Sequence, residues 1–295
     1  MVIRVILGYD GSPAANAAID AGARLFPQAR ASVAHVWTPP FASTGLRQRL
    51  WRGTGRVDEF VAEVEREGER EAGRVAAVGV VLGRAAGWDA EPVVVRSYGG
   101  EGIQLAEVAE KMDADVVVVG SRGLGGAQAV LGSVSDMVVH YSTRPVLVLP
   151  HPLLSDEYDA LAGGPVLVGY DGSAGAQTAL DVAARLFPTR GLLVATVDDD
   201  QTTRDEADAP RAGEAAVTRL RVPAGRGGRG RSVAGALAGC ARDHAAAVLV
   251  VGSRGRSAVE EILLGSVAMA TLHHAYRPVL VAPPANRKLP AEHPF

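Results

Sequence analysis

At 295 residues the chain is about twice the length of a typical domain of ~100–200 residues, so two domains are expected. Apolar residues make up 47% and charged residues 21%, and the net charge of −3 excludes the overall basic field of a nucleic-acid binder. A single cysteine, Cys240, excludes an intrachain disulfide and a cysteine-based metal site. "MVIRVILGYDGS" has no signal-peptide layout, and no apolar run approaches the ~18–20 residues of a membrane helix, so the expected compartment is the cytoplasm.

The first element is an apolar strand, "VIRVILG", followed by a helix over about 13–26, with Ser12 placed to cap it and Pro13 suited to its first turn. "ASVAHVW" reads as a second strand. A long polar helical passage over about 56–86 precedes the third strand, "EPVVVRS". A helix over about 101–112 leads to the fourth strand, "DVVVVG", and one over about 131–142 leads to the fifth, "PVLVL". Strands that are apolar on both faces and alternate with helices indicate a parallel sheet covered on each side. Right-handed crossovers then give a doubly wound, Rossmann-like α/β domain with a five-stranded parallel sheet.

The same order then repeats. "VILGYDGSPAANAAIDAGARLFP" at 5–27 returns as "VLVGYDGSAGAQTALDVAARLFP" at 166–188, an offset of 161. "ADVVVVGSRG" at 114–123 returns as "AAVLVVGSRG" at 246–255, an offset of 132, and "RPVLVLP" at 144–150 returns as "RPVLVAP" at 277–283. Three ordered matches identify a tandem duplication. The smaller offset means that the second copy lacks 29 residues between its second and fourth strands, so its crossover between strands two and three is shortened. The expected organisation is a first domain over 1–150, a linker over 151–164, a second domain over 165–283 and a loose tail over 284–295.

In an open parallel sheet, ligands bind beyond the carboxyl ends of the strands, where the winding reverses. Asp10 and Asp171 follow the first strands, Gly120 and Gly252 end the fourth, and the two copies are most alike there. "GSRGRSAVEEILLGSV" supplies Gly252, Gly255 and the pair Gly265–Ser266. Glycine removes the Cβ that would keep a phosphate chain away from backbone N–H groups. A helix N-terminus adds free amides and positive partial charge. With no lysine nearby and no Walker A spacing, the candidate is a cradle of amides.

These residues resemble the universal stress protein family in its tandem two-domain form. The pattern of its ATP-binding members, G-x2-G-x9-G-[S/T], is met in full by Gly252, Gly255, Gly265 and Ser266, whereas only eight residues separate Gly123 from Gly132 in the first copy. The resemblance implies an ATP site formed by Gly8, Asp10, Val36, Gly120, Arg122, Gly123, Gly132, Ser133 and Val134 in the first copy. In the second copy it implies Gly169, Asp171, Val197, Gly252, Arg254, Gly255, Arg256, Gly265, Ser266 and Val267. The aspartates would face the ribose, the two valines would offer backbone groups to adenine, and Gly8 and Gly169 would leave room for the nucleotide. The glycine loops would hold the phosphates, with Mg2+ as a counter-ion. Asp198, Asp199 and Asp200 would repel a triphosphate unless turned away or neutralised by a cation. The resemblance further implies pairing through the fifth strands as an internal pseudo-dimer, self-association of chains into a homodimer, and a regulatory role toward an unidentified protein partner, with slow or no hydrolysis.

Other roles fit several of these residues. Asp10 and Asp171 equally suit Asp-Gly turns, Ser133 suits an N-cap in a box with Asp136, and Arg122 and Arg254 suit solvated loop positions. "GRGGRG" at 225–230 matches a dinucleotide fingerprint formally but lacks an acidic residue ~20 positions on, and it reads as a glycine-rich loop. Arg219, Arg221, Arg226, Arg229 and Arg231 form a basic patch without interleaved aromatics, which reads as solvated. The histidines show no metal-ligand spacing and no nucleophile elbow occurs, so the sequence identifies no enzyme. Two other classes remain open: an ATP hydrolase or nucleotidyl transferase using one of the named aspartates as base, and an interaction scaffold that binds no nucleotide.

Overall fold

The computed structural model describes residues 2–39, 56–121, 131–198, 217–224, 229–255 and 264–284. Repeat one runs β1 (Arg4–Gly8), α1 (Pro13–Leu25), β2 (Arg30–Trp37), α2 (Arg56–Ala85), β3 (Asp89–Arg96), α3 (Glu101–Lys111), β4 (Val116–Gly120), α4 (Ser133–Tyr141) and β5 (Val146–Leu149). The segment expected as a plain linker carries a helix, α5 (Ser155–Gly163). Repeat two runs β6 (Val166–Gly169), α6 (Ala174–Leu186), β7 (Leu192–Asp198), β8 (Val217–Pro223), α7 (Arg229–Asp243), β9 (Val248–Gly252), α8 (Ser266–His274) and β10 (Val279–Ala282). Ser12 caps α1 through the N–H of Ala15, as its sequence position predicts, and Ser173 caps α6 in the same way through Ala176. Among the described residues no helix is long and apolar enough to cross a membrane.

The strands form one sheet in the order β3-β2-β1-β4-β5-β10-β9-β6-β7-β8. All neighbours are parallel except β5 and β10, which pair antiparallel with Val146 opposite Val281, Leu147 opposite Leu280 and Val148 opposite Val279. Each repeat is thus a five-stranded parallel sheet, and their fifth strands meet. α1, α2, α5 and α6 contribute to the core on one face, where Leu7, Leu147, Val168 and Leu280 lie. α3, α4, α7 and α8 cover the other face, over Val117, Val148, Leu167 and Val281. Both cores run unbroken across the two repeats. The six apolar side chains of the β5–β10 seam are buried, each contributing about 1.5–3 kcal/mol by leaving water.

The seam is reinforced away from the strands. Phe26 and Phe187, which follow α1 and α6 in the recurring "RLFP", stack with centroids 5.2 Å apart. Arg185 of repeat two pairs with Asp115 of repeat one at 3.1 Å. On α5, Leu161 is buried, the Tyr158 hydroxyl donates to Asp20, and the Arg24 guanidinium lies 4.1 Å from the Tyr158 ring centre. That hydrogen bond to Asp20 raises the Tyr158 phenol above its ordinary range.

The repeats differ over their outer strands. α2 lies on β2 and β3, and a Cβ on its Gly79 would stand 2.7 Å from Val33 and 2.8 Å from Tyr9, so only glycine lets the helix approach so closely. Sheet register matches His35, Trp37 and Val94 of repeat one with Thr196, Asp198 and Arg221 of repeat two. That more polar set accompanies a crossover of 18 residues (199–216), too short for a second 30-residue helix. The outermost strands β3 and β8 carry Pro92 and Pro223, residues that discourage further strand addition.

Candidate functional site

At the carboxyl end of β1, Asp10 folds back on itself. Its Oδ1 accepts the Ser12 N–H at 2.9 Å, and Gly11 between them has φ +78°. Repeat two does the same: Asp171 Oδ1 accepts the Ser173 N–H at 3.0 Å, with Gly172 at φ +77°. The turn role is therefore real in both repeats. In repeat two the other oxygen, Asp171 Oδ2, stands 2.9 Å from where a Cβ on Gly255 would be. The strand-one carboxylate and the second glycine of the loop thus face each other directly. In repeat one, burial and the nearby Asp10 carboxylate hold the Tyr9 phenol above its usual range.

The glycine loop is pinned at both ends. The Ser253 N–H donates to Ala282 O at 2.8 Å, and the Gly265 N–H returns to Ser253 O at 2.7 Å. Repeat one has the same closure, Ser121 N–H to Leu149 O at 2.7 Å and Gly132 N–H to Ser121 O at 2.8 Å. Gly132 and Gly265 are the N-caps of α4 and α8, and neither helix has a side-chain cap, in contrast to α1 and α6. Ser133 is therefore the first helical residue and forms no capping box with Asp136. Ser266 has the same place in α8. Ser133 and Ser266 are exposed, and Val134 and Val267 follow them half-buried.

Val36 and Val197 hold matching places in β2 and β7. Ala34 O accepts the Tyr9 N–H and Ala195 O accepts the Tyr170 N–H, each at 2.9 Å. Two residues on, the backbone groups of Val36 and Val197 face the same side of their strands, beyond the last residues of β1 and β6. Asp198 ends β7 with its side chain 53% exposed, 4.0 Å from Arg221. Arg254 is half-buried. Arg122, Gly123, Arg256, Asp199 and Asp200 lie outside the described residues. No group of three or more His, Cys, Asp or Glu side chains gathers as a metal site among the described residues.

Four glycines proved to have nearer neighbours than a ligand. A Cβ on Gly8 would meet Leu105 at 2.7 Å and one on Gly169 would meet Leu237 at 2.9 Å, so the space reserved for the nucleotide there is filled by α3 and α7. Gly120 faces Ala14 O at 3.0 Å, and Gly252 faces Gly175 O at 2.5 Å. Their bare backbone admits the first turns of α1 and α6. Gly255 and Gly265 are different: their Cβ directions point at Asp171 and at the loop backbone around Ser253 and Gly255.

The universal stress protein family model matches residues 1–150 and 164–283. The chain belongs to the universal stress protein family. It is 34% identical over 189 residues to a universal stress protein of Mycobacterium tuberculosis, a region covering 58% of this chain and 62% of that relative. A universal stress protein of Mycolicibacterium smegmatis is 29% identical over 309 residues, covering 95% of this chain and 97% of that one. Among solved structures, a universal stress protein from Archaeoglobus fulgidus DSM 4304 shares the fold with a TM-score of 0.65, at 21% identity, over 95% of this chain and 98% of that one.

This universal stress protein also uses residues that sequence reasoning passed over. The Ser135 hydroxyl, in the first turn of α4, donates to Gly120 O at 2.7 Å and ties the helix to β4. Its counterpart in repeat two is Ala268. His35 Nδ1 lies 2.7 Å from Tyr9 O, so that nitrogen carries the proton, and the Tyr9 hydroxyl donates to Asn16 Oδ1 at 2.7 Å. Gly175 is the most telling. Arg254 O stands 2.1 Å from where its Cβ would be, yet repeat one has Ala14 at that place. Aligning the repeats exposes that difference; its cause is visible only in three dimensions.

Proposed function

We propose that this universal stress protein binds ATP in the repeat-two cradle and works as a nucleotide-dependent regulatory module, in keeping with the stress-response role that its family supports. The observation that carries the reading is convergence: Asp171, the loop Gly252–Gly255 and the uncapped N-terminus of α8 meet at the carboxyl edge of β6 and β9. Amides exposed there suit phosphate oxygens, the Asp171 carboxylate suits a ribose hydroxyl, and Val197 suits the base edge. Repeat one is a second site of the same plan on Asp10, Val36, Gly132 and Ser133. Arg122, Arg254 and Arg256 would lend charge to the phosphates, with Mg2+ as counter-ion. The chemistry is binding, and nucleotide occupancy would alter the surface offered to a protein partner.

Mass spectrometry of nucleotide released from freshly purified protein tests this reading, with stoichiometry per chain. Adenine nucleotide at one or two per chain is expected, and its complete absence, together with no heat on titration with ATP, would reject the proposal. Gly265→Val should remove binding at repeat two, because a branched side chain would press on the Ser253 carbonyl 3.3 Å from the Cβ and displace the loop. Location in the cytoplasm and assembly into a chain homodimer belong to the same proposal, and size-exclusion chromatography with light scattering tests the latter.

A further inference from the structure

The helix between the repeats, α5, is gripped from repeat two by arginines. Arg190, in the turn from α6 to β7, donates from Nη2 to Leu161 O at 2.6 Å and from Nη1 to Gly164 O at 2.9 Å. Those carbonyls close α5, where a cationic donor is favoured. Repeat one has Ala29 at the matching place. Beyond its last turn α5 abuts the approach to β9: a Cβ on Gly164 would stand 2.4 Å from Ala245 O and 2.9 Å from Ala247 N. Arg277 reaches that same segment, donating from Nη1 to Ala246 O at 2.7 Å, and is only 5% exposed. Val279 pairs with Val148, so Arg277 falls opposite Pro150, where the chain leaves β5 for α5.

Arg277 and its repeat-one counterpart Arg144 find their acids in different places. Arg144 pairs with Glu110 at 3.1 Å and Asp113 at 3.0 Å. Repeat two has Arg242 and Ala245 at those positions, so neither acid recurs. The acids near Arg277 come from the first turn of α5. Burial pulls its guanidinium below the ordinary arginine range, and the charges of Glu157 and then Asp156 oppose that pull. Two buried atoms remain: Arg277 Nε, a donor, and Glu157 Oε2, an acceptor, have no hydrogen-bond partner among the described residues. Leaving such atoms unmatched in an interior is costly, and a buried water commonly serves a donor and an acceptor together.

We propose that one buried water accepts from Arg277 Nε and donates to Glu157 Oε2, and that this bridge fastens α5 to repeat two. Repeat one holds the same helix through Tyr158, which donates to Asp20 and lies under Arg24. The connecting helix is therefore a brace across the seam. It also gives Arg277 the counter-charge that repeat two lacks at the positions of Glu110 and Asp113. This inference is independent of nucleotide binding.

A high-resolution crystal structure of the full chain should show an ordered water within about 3.2 Å of both atoms. Direct contact between the two side chains, or a dry gap between them, would overturn the bridge. In urea titrations Glu157→Ala and Arg277→Met should each lower the midpoint, and the double variant should fall no further than the less stable single. Losses that simply add would show the two residues to be uncoupled and overturn the proposal. Glu157→Gln is the milder probe should Arg277→Met fail to fold. In that variant amide exchange across residues 155–163 should quicken about tenfold while α2 keeps its rates. Unchanged exchange in α5 would overturn the fastening.

Discussion

Repeat one and repeat two share a fold and stiffen opposite halves of it. In repeat one the Tyr9–Gly11 turn is walled by α2, since a Cβ on Gly79 would collide with Tyr9 and one on Gly11 would lie 3.7 Å from Val75, and His35 holds the Tyr9 carbonyl. In repeat two the crossover is too short for that helix and Thr196 replaces His35, but Gly175 lets the Arg254 carbonyl settle over the start of α6. One repeat braces the β1 and β2 end of its cradle, and the other draws the start of its glycine loop inward. The two copies of this edge are thus supported by different neighbours.

The largest effect should come from weakening what the repeats have in common. Leu280→Ala removes a fully buried side chain from the seam and should cost about 2–5 kcal/mol in a urea titration, with Leu147→Ala costing a similar amount. A cost below 1 kcal/mol for either would mean that the seam does not hold the halves together. Gly175→Ala comes next. It forces the Arg254 carbonyl away and should weaken ATP binding at repeat two about tenfold, from an overpacking strain of roughly 1–3 kcal/mol. Ala14→Gly in repeat one should leave nucleotide affinity unchanged in the same calorimetric assay.

Gly79→Val should destabilise the chain by about 1–3 kcal/mol through its clash with Val33 and Tyr9, read by thermal denaturation. Ser12→Ala and Ser173→Ala should each cost about 1 kcal/mol, because both caps have the same geometry. The smallest effect is electrostatic. The Thr143 hydroxyl and then Arg144 hold the Glu110 carboxyl below its ordinary 4.5. That contribution is present above 4.5 and lost as pH falls through the depressed value. Thr143→Val should therefore cost roughly 0.5 kcal/mol at pH 7, discounted for exposure, and close to nothing at pH 2. Equal costs at both pH values would assign the effect to packing.

The duplication made most of the architecture legible. Alternating apolar runs and helical stretches located the elements, and Ser12 with Pro13 marked the start of α1. The site was legible as a place but only partly as a set of reasons. A glycine in a sequence says that a Cβ is unwelcome without saying which neighbour objects, and for Gly120 and Gly252 the neighbour is the backbone of the following helix. Ser133 looked like a cap because it opens a helix, but Gly132 takes that position in an extended conformation, φ −62° and ψ 147°. Ser135 and His35 act through backbone carbonyls of other elements, and such partners leave no spacing pattern in the chain. Residues 151–164 read as connection because they separate the repeats, whereas Leu161 and Tyr158 anchor them to α1.

The antiparallel seam has a geometric result that neither repeat contains alone. Strands on its two sides run in opposite senses, so the carboxyl ends of the two five-stranded halves lie at opposite rims of one continuous sheet. A body resting on one rim leaves the other uncovered.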